Sequence, residues 1–178
     1  VVQKRSKHLW SEWILDLIAG WASHPDPIEG KSVMSGSLDS RQQVMDVEMT
    51  VLNSVRGVVA GTIAHLLWSR PALLGQLLPP LERLLDDPHP SVRLAAIECG
   101  LPIWNQDPEL AIRLFVRGAR HPDDHVLVSH SLQRFIQLLL ASDRGEVEDL
   151  IRRMVESSVD DVCFHGAAWA TVASVMKH

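Results

Sequence analysis

The chain has no tyrosine, only two cysteines, and no uninterrupted apolar run near the roughly 18 to 20 residues that a bilayer crossing needs. No signal-peptide pattern opens it, so nothing in the sequence asks for a membrane or for secretion. Cys99 and Cys163 both fall inside expected helices, and read as reduced core residues of a cytoplasmic protein in preference to a disulfide. An excess of basic charge is missing too. Lys and Arg number 17 against 22 Asp and Glu, for a formal charge of −5, and no basic stripe gathers. Nucleic acid is therefore disfavoured as the main partner, because phosphate binding rests on clustered Lys and Arg. Catalytic signatures are absent as well. Gly30, Lys31 and Ser32 imitate the end of a P-loop, but Pro25 stands where the motif requires its first glycine, and no strand precedes it.

What the chain does have is self-similarity. Val55, Val92, Val128 and Phe164 are separated by 37, 36 and 36 positions (92−55, 128−92, 164−128), and each opens the same ladder of apolar or small residues. Three residues on stand Val58, Ala95, Ser131 and Ala167; four on, Val59, Ala96, Leu132 and Ala168; seven on, Thr62, Cys99, Phe135 and Thr171; eleven on, Leu66, Ile103, Leu139 and Val175. Steps of 3, 4, 7 and 11 mark one face of an α-helix. A helix returning every 36 or 37 residues, with no clear strand between, predicts an all-α chain, a right-handed α-solenoid of about four helix pairs in which each unit buries its face against its neighbours.

The partner helices complete the pattern. Leu74, Leu77, Leu78 and Leu81 match Ala111, Leu114, Phe115 and Gly118 at an offset of 37, and then Val147, Leu150, Ile151 and Met154 at 36. Asp87 to Pro90, His121 to Asp123, and Ser142 to Gly145 supply the turns. Pro79 and Pro80 lie inside one such helix, predicting a kink or two shorter helices. Three regions are expected: a first amphipathic helix within residues 1–22 carrying Trp10, Trp13 and Trp21 in its core face; a mobile loop over 23–40; and the repeat array over 41–178, whose first ladder sits on a longer helix than the rest. Trp68 and Trp104 end their helices, where they can cover the gap between units.

The run Asp86, Asp87, Pro88, His89, Pro90, Ser91, Val92, Arg93, Leu94, Ala95, Ala96 resembles the HEAT repeat, in which an acidic residue and prolines precede Val, Arg and small residues. Ser54, Val55 and Arg56 repeat its core one unit earlier. The resemblance covers roughly residues 40–178. It implies HEAT-like helix pairs, although Ser129 and His165 stand in the Arg column, so a regular series of Asp and Arg contacts between turns does not follow. Asn53 to Gly57, with a small-residue helix ending at Leu67 and Trp68 and the earlier His24, Pro25, Asp26, Pro27, also resembles the helical C-terminal region of large bacterial STAND or NACHT-type ATPases of antiphage defence. That likeness implies a sensor array placed after an effector and an NTPase. The start at Val1, without Met, reads as a piece of something longer.

The function expected is thus protein recognition or scaffolding inside a larger intracellular protein, with no enzyme activity of its own. The side chains off the ladder on the second helices would meet the partner: Glu98, Leu101, His130, Gln133, Arg134, Gln137 and Trp169. The competing class is an enzyme-associated HEAT-like domain, a lyase or a DNA-repair glycosylase, which needs a basic groove or a pigment cleft. No cofactor or metal is expected. His121, Asp123, Asp124, His125 and His130 gather at one turn, but His125 and His130 differ by five and point to different helix faces, and the two Asp suit a helix start. The final helix, from Phe164 to Met176, carries hardly a polar stripe. It predicts either a further helix beyond His178 or self-association through the face around Trp169.

Overall fold

A computed structural model describes residues 13–28, 49–120, 124–142 and 145–176, and among these every regular element is helical. In chain order they are α1 (13–21), α2 (Val55–Ser69), α3 (Leu74–Leu85), α4 (Pro90–Glu98), α5 (Gly100–Trp104), α6 (Pro108–Ala119), α7 (His130–Ala141), α8 (Glu146–Val155) and α9 (Asp160–Met176). Short 3-10 turns at Pro71–Leu73 and Asp124–Val128 precede α3 and α7. None of the described helices is long and apolar enough to cross a membrane.

The starts of these helices are written in the side chains before them. Ser54 accepts from the Gly57 amide, Asp107 from that of Leu110 at 2.9 Å, and Ser129 from that of Leu132, so each satisfies a donor that the first turn leaves open. Pro90 and Pro108 occupy first positions, where a missing N–H loses nothing. Contrary to the longer helix expected for the first ladder, the α-helical residues 49–52 end in a turn at Asn53 and Ser54, and α2 starts afresh at Val55. The cause is tertiary. The Val55 amide donates to Asp26 Oδ2 at 2.7 Å and the Arg56 amide to the Asp26 carbonyl at 3.2 Å, so these donors leave the helical ladder.

Two prolines behave differently from each other's neighbourhood. Pro79 and Pro80 sit inside α3, which runs through both as one element. Pro102, by contrast, ends a helix four residues upstream. It has no N–H for the Glu98 carbonyl and its ring crowds that carbonyl, and α4 stops at Glu98 with α5 resuming at Gly100. The break has a use. A Cβ at Gly100 would lie 2.3 Å from the Phe135 ring, so only glycine lets α7 bring that ring in. Phe135 then stacks on Phe115 at a centroid distance of 4.7 Å and meets Trp104 edge-on at 6.4 Å.

Helices α3 and α4, α6 and α7, and α8 and α9 are in contact, as are α2 with α4, α4 with α7, and α3 with α6. One core runs through them. Val92, Ala96, Cys99 and Ile103 are all buried, as the ladder requires, while Glu98 is exposed. Leu94 is buried with them, on the side facing other helices. Cys99 and Cys163 are both free thiols, the first buried and the second half-buried. Burial pushes the Cys99 thiol well above its usual range, which suits an inert core residue.

The two end ladders depart from the pattern. Val58 and Thr62 on α2 are exposed, and so are Phe164, Ala168, Thr171 and Val175 on α9. Helix α9 turns its other side inward: Val162 and Gly166 are buried, Trp169 and Ala173 half-buried. Gly166 forces this choice. A Cβ there would lie 2.6 Å from the Val155 backbone nitrogen, so α9 approaches α8 closely along the Gly166 side. The expectation that Trp169 lies on the open side of α9, away from the core, is therefore reversed. The tryptophans of the first pair also differ from expectation, with Trp13 and Trp21 about half exposed and Trp68 likewise. Trp10 lies outside the described residues.

Candidate protein-interaction surface

Arg56 organises the turns at one edge of the array. Its Nη1 donates to the His24 carbonyl at 2.5 Å, its Nη2 to the Pro27 carbonyl at 3.0 Å and to Asp87 Oδ1 at 3.1 Å, and its Nε lies 2.7 Å from Asp87 Oδ2. Both charged side chains are buried, so each offsets the desolvation of the other. Asp87 also accepts from the His89 amide at 2.9 Å, and its carbonyl receives Arg93 Nε at 2.6 Å. One step of an Asp to Arg series between successive turns is thus present. In the Arg column Ser129 instead caps α7, and His165 stands edge-on to Phe164. Residues 24–27, expected as the start of a mobile loop, are held by these bonds; the rest of that loop, 29–40, lies outside the described residues, and the Gly30, Lys31, Ser32 segment with it.

Two more links tie the layers together. Arg117 grips Asp86 and, at 3.4 Å, Glu82, fastening α6 to the end of α3. The hydrogen bond to the Arg117 guanidinium holds the Asp86 carboxyl below its usual range. Arg153 Nη1 donates to the Ala119 carbonyl at 3.0 Å, covering the last turn of α6 from α8.

The seven residues that the sequence nominates for partner contact divide into two groups. Glu98, His130, Arg134 and Gln137 are exposed, and the last three share one face of α7 by their spacing. Leu101, Gln133 and Trp169 are half-buried and belong to the packing between units. Gln133 is a strut: its Nε2 donates to the Leu127 carbonyl at 2.7 Å and its Oε1 accepts from Trp169 Nε1, joining α7 to α9. Glu98 takes part in a similar link, accepting from Ser131 Oγ at 2.5 Å, yet stays exposed. The open face has a repeat of its own. Gly61, Glu98, Arg134 and Ala170 follow the offsets 37, 36 and 36 (98−61, 134−98, 170−134), and all four are exposed.

Sequence reasoning placed other exposed residues in the core. A groove of about 590 Å³ lies between α1 and α2, lined by Trp13, Trp21, Leu52 and Val58 among others. Nothing in the period could have marked it, since the same residues would be core if one more helix covered them. The histidine and aspartate gathering at 121–125 lies outside the described side chains, apart from His130, which is exposed.

Comparison with known proteins agrees with the middle of the array. Residues 77–103 match the family model of the HEAT repeat, which spans most of α3, all of α4 and most of α5. No curated protein and no solved structure matches the chain. The described residues are thus helical and include a HEAT-like helical repeat, a type of helix pair suited to protein interaction and scaffolding.

Proposed function

We propose that the chain is a protein-recognition or scaffolding segment of a larger intracellular protein, and is not itself a catalyst. On this reading its helix pairs stack as a right-handed α-solenoid in the cytoplasm, and the partner lies along the open face of the second helices. The observation that carries the reading is the column Gly61, Glu98, Arg134 and Ala170, open to solvent at equivalent positions of successive units. A repeat array that leaves such a column uncovered offers a partner one continuous surface built from several units. Glu98 and Arg134, of opposite charge on adjacent units, with His130 and Gln137 beside Arg134, would set the specificity of a mixed-charge partner surface.

The test is a photo-activated crosslinker placed at Arg134 in the full-length protein, compared with one at Arg113 on the outer layer. A defined protein captured from position 134, and lost when Glu98→Arg is added, is the expected result. Equal capture from both positions, or retention of nucleic acid in place of protein, overturns it and favours the repair-enzyme class.

A finer reading makes the array the sensor of a bacterial STAND-type defence ATPase. Its support is that the two short segments carrying that resemblance, His24 to Pro27 and Asn53 to Gly57, meet in one hydrogen-bonded junction around Asp26 and Arg56. The check is the gene upstream of Val1. A Walker A and Walker B pair there supports the reading, and an upstream region coding for no NTPase refutes it.

A further inference from the structure

The open column on the second helices leaves its charges unanswered. Glu98 accepts from Ser131 Oγ at 2.5 Å, a bond that holds the carboxylate in place yet leaves the residue exposed. Arg134, at the equivalent position one unit on, is exposed and makes no ion pair among the described residues, with Glu98 or any other. The two ends of the column are Gly61 and Ala170, both exposed and neither large enough to hold a partner off. Nothing lies within 4 Å of a Cβ added at Gly61. A partner therefore meets small, acid, base and small in that order.

The same face selects the partner's backbone. An extended segment needs its host to supply partners for its own amides and carbonyls. The described residues form no strand and so offer no sheet edge. The hydroxyl protons beside the column are already engaged: Thr62 donates to the Val58 carbonyl at 2.8 Å, Ser131 to Glu98, Thr171 to the Ala167 carbonyl at 2.9 Å and Ser174 to that of Thr171 at 2.7 Å. A helix brings its backbone bonds with it and asks only for side-chain contacts. Spacing agrees with a helix. Packed helices lie about 8 to 10 Å apart, and seven residues of a helix rise about 10.5 Å, so side chains at i and i+7 on one face of a visiting helix reach equivalent positions on adjacent units.

We propose that the column from Gly61 to Ala170 receives an α-helix of the partner, which sets a Lys or Arg against Glu98 and an Asp or Glu, seven residues away, against Arg134. The inference rests on the protein-recognition reading of this face and adds what kind of segment the face takes. The visiting helix crosses α2, α4, α7 and α9, the last of these joined to α7 through Trp169 and Gln133. Three helix spacings make the crossing about 16 to 20 residues long. Charge fixes its register, since a slide of one unit sets its cation against Arg134.

Photo-activated crosslinkers at Gly61 and, separately, at Ala170 of the full-length protein test it, because both sites leave the two charges in place. The expected result is that the partner residues trapped from the two sites lie about 16 to 20 apart in the partner's sequence. An interval of about 7 to 9 marks an extended segment, and trapped residues from unrelated parts of the partner mark a folded surface. Either overturns the proposal and leaves protein recognition by this face standing. Capture of no protein from positions 61, 134 and 170 overturns both. The double variant Glu98→Arg, Arg134→Glu weakens the complex about tenfold or more, with the circular dichroism unchanged because both side chains are exposed. Exchanging the two facing charges of the partner restores it. Binding that the double variant leaves unmoved, or that the exchange fails to restore, also overturns the proposal.

Discussion

The middle and the last second helices, α4 with α5 and α9, carry ladders that align at offsets of 36, yet they bury opposite sides of them. In the middle unit Val92, Ala96, Cys99 and Ile103 are all at or below 1% exposure. Their counterparts Phe164, Ala168, Thr171 and Val175 are all exposed. The difference lies in the neighbours. Helix α4 has α2 on one side and α7 on the other, with α3 and α6 across the layer, so an apolar side chain finds cover in almost every direction. Among the described residues helix α9 packs mainly on α8 and the turn before α7, with Trp169 reaching Gln133 of α7. It carries two apolar stripes and can bury one, and the close approach permitted at Gly166 decides which.

The sharpest way to break that comparison is to make one change at both places. Ala96→Glu should destabilise by about 5 kcal/mol, through overpacking and an unpaired buried charge. Ala168→Glu, at the matching position, should stay within about 0.5 kcal/mol of the parent. Urea unfolding of both variants measures the contrast, and equal losses would mean that the last ladder is buried after all.

Removing Arg56 comes next in size. Arg56→Met leaves Asp87 buried without its counter-charge and should cost about 3 to 4 kcal/mol. The double variant Arg56→Met, Asp87→Asn should recover part of it, since the uncompensated charge is then gone. Native-state hydrogen exchange in Arg56→Met should speed up first at Val55 and Arg56, whose amides depend on the same junction. Loss confined to other helices would show that the turn stands without its guanidinium.

Two glycines sharpen the comparison between crowded and open helix. Gly100→Ala places a methyl group against the Phe135 ring and should destabilise by about 1 to 3 kcal/mol. Gly61 sits mid-helix in α2 with nothing within 4 Å of an added Cβ. Gly61→Ala should stabilise by about 0.5 to 1 kcal/mol, from helix propensity alone. Thermal unfolding that moves both variants in the same direction would contradict the packing described around Phe135.

The smallest effect expected is electrostatic. The Arg117 hydrogen bond lowers the Asp86 carboxyl, so its contribution is complete above the ordinary carboxylate range, near pH 3.9, and fades as pH falls through the lower folded-state value. Both groups are substantially exposed, so the pair is worth about 0.2 to 1 kcal/mol at neutral pH. Stability measured against pH for the parent and Arg117→Met should converge toward acid. A gap that widens instead would mean that Arg117 acts through packing.

The helical class, the period of 36 to 37 residues and the buried set of the middle unit were all legible before any coordinates. Local rules govern them: side chains on one helix face recur at 3 and 4 residues, and the caps and first-turn prolines stand in the sequence beside the helices they start. The exposure of Glu98 and Arg134 was legible for the same reason. Other features were not. The Gln133 strut to Trp169 needs two helices 36 residues apart to meet at one height, and the restart of α2 at Val55 needs Asp26 from a distant turn. By itself, then, the sequence determined which side chains share a face. Which of two apolar faces α9 buries, and that Trp13, Val58 and Phe164 stay open, was decided only by tertiary structure, because burial depends on how many helices surround a face and how closely a glycine lets them come.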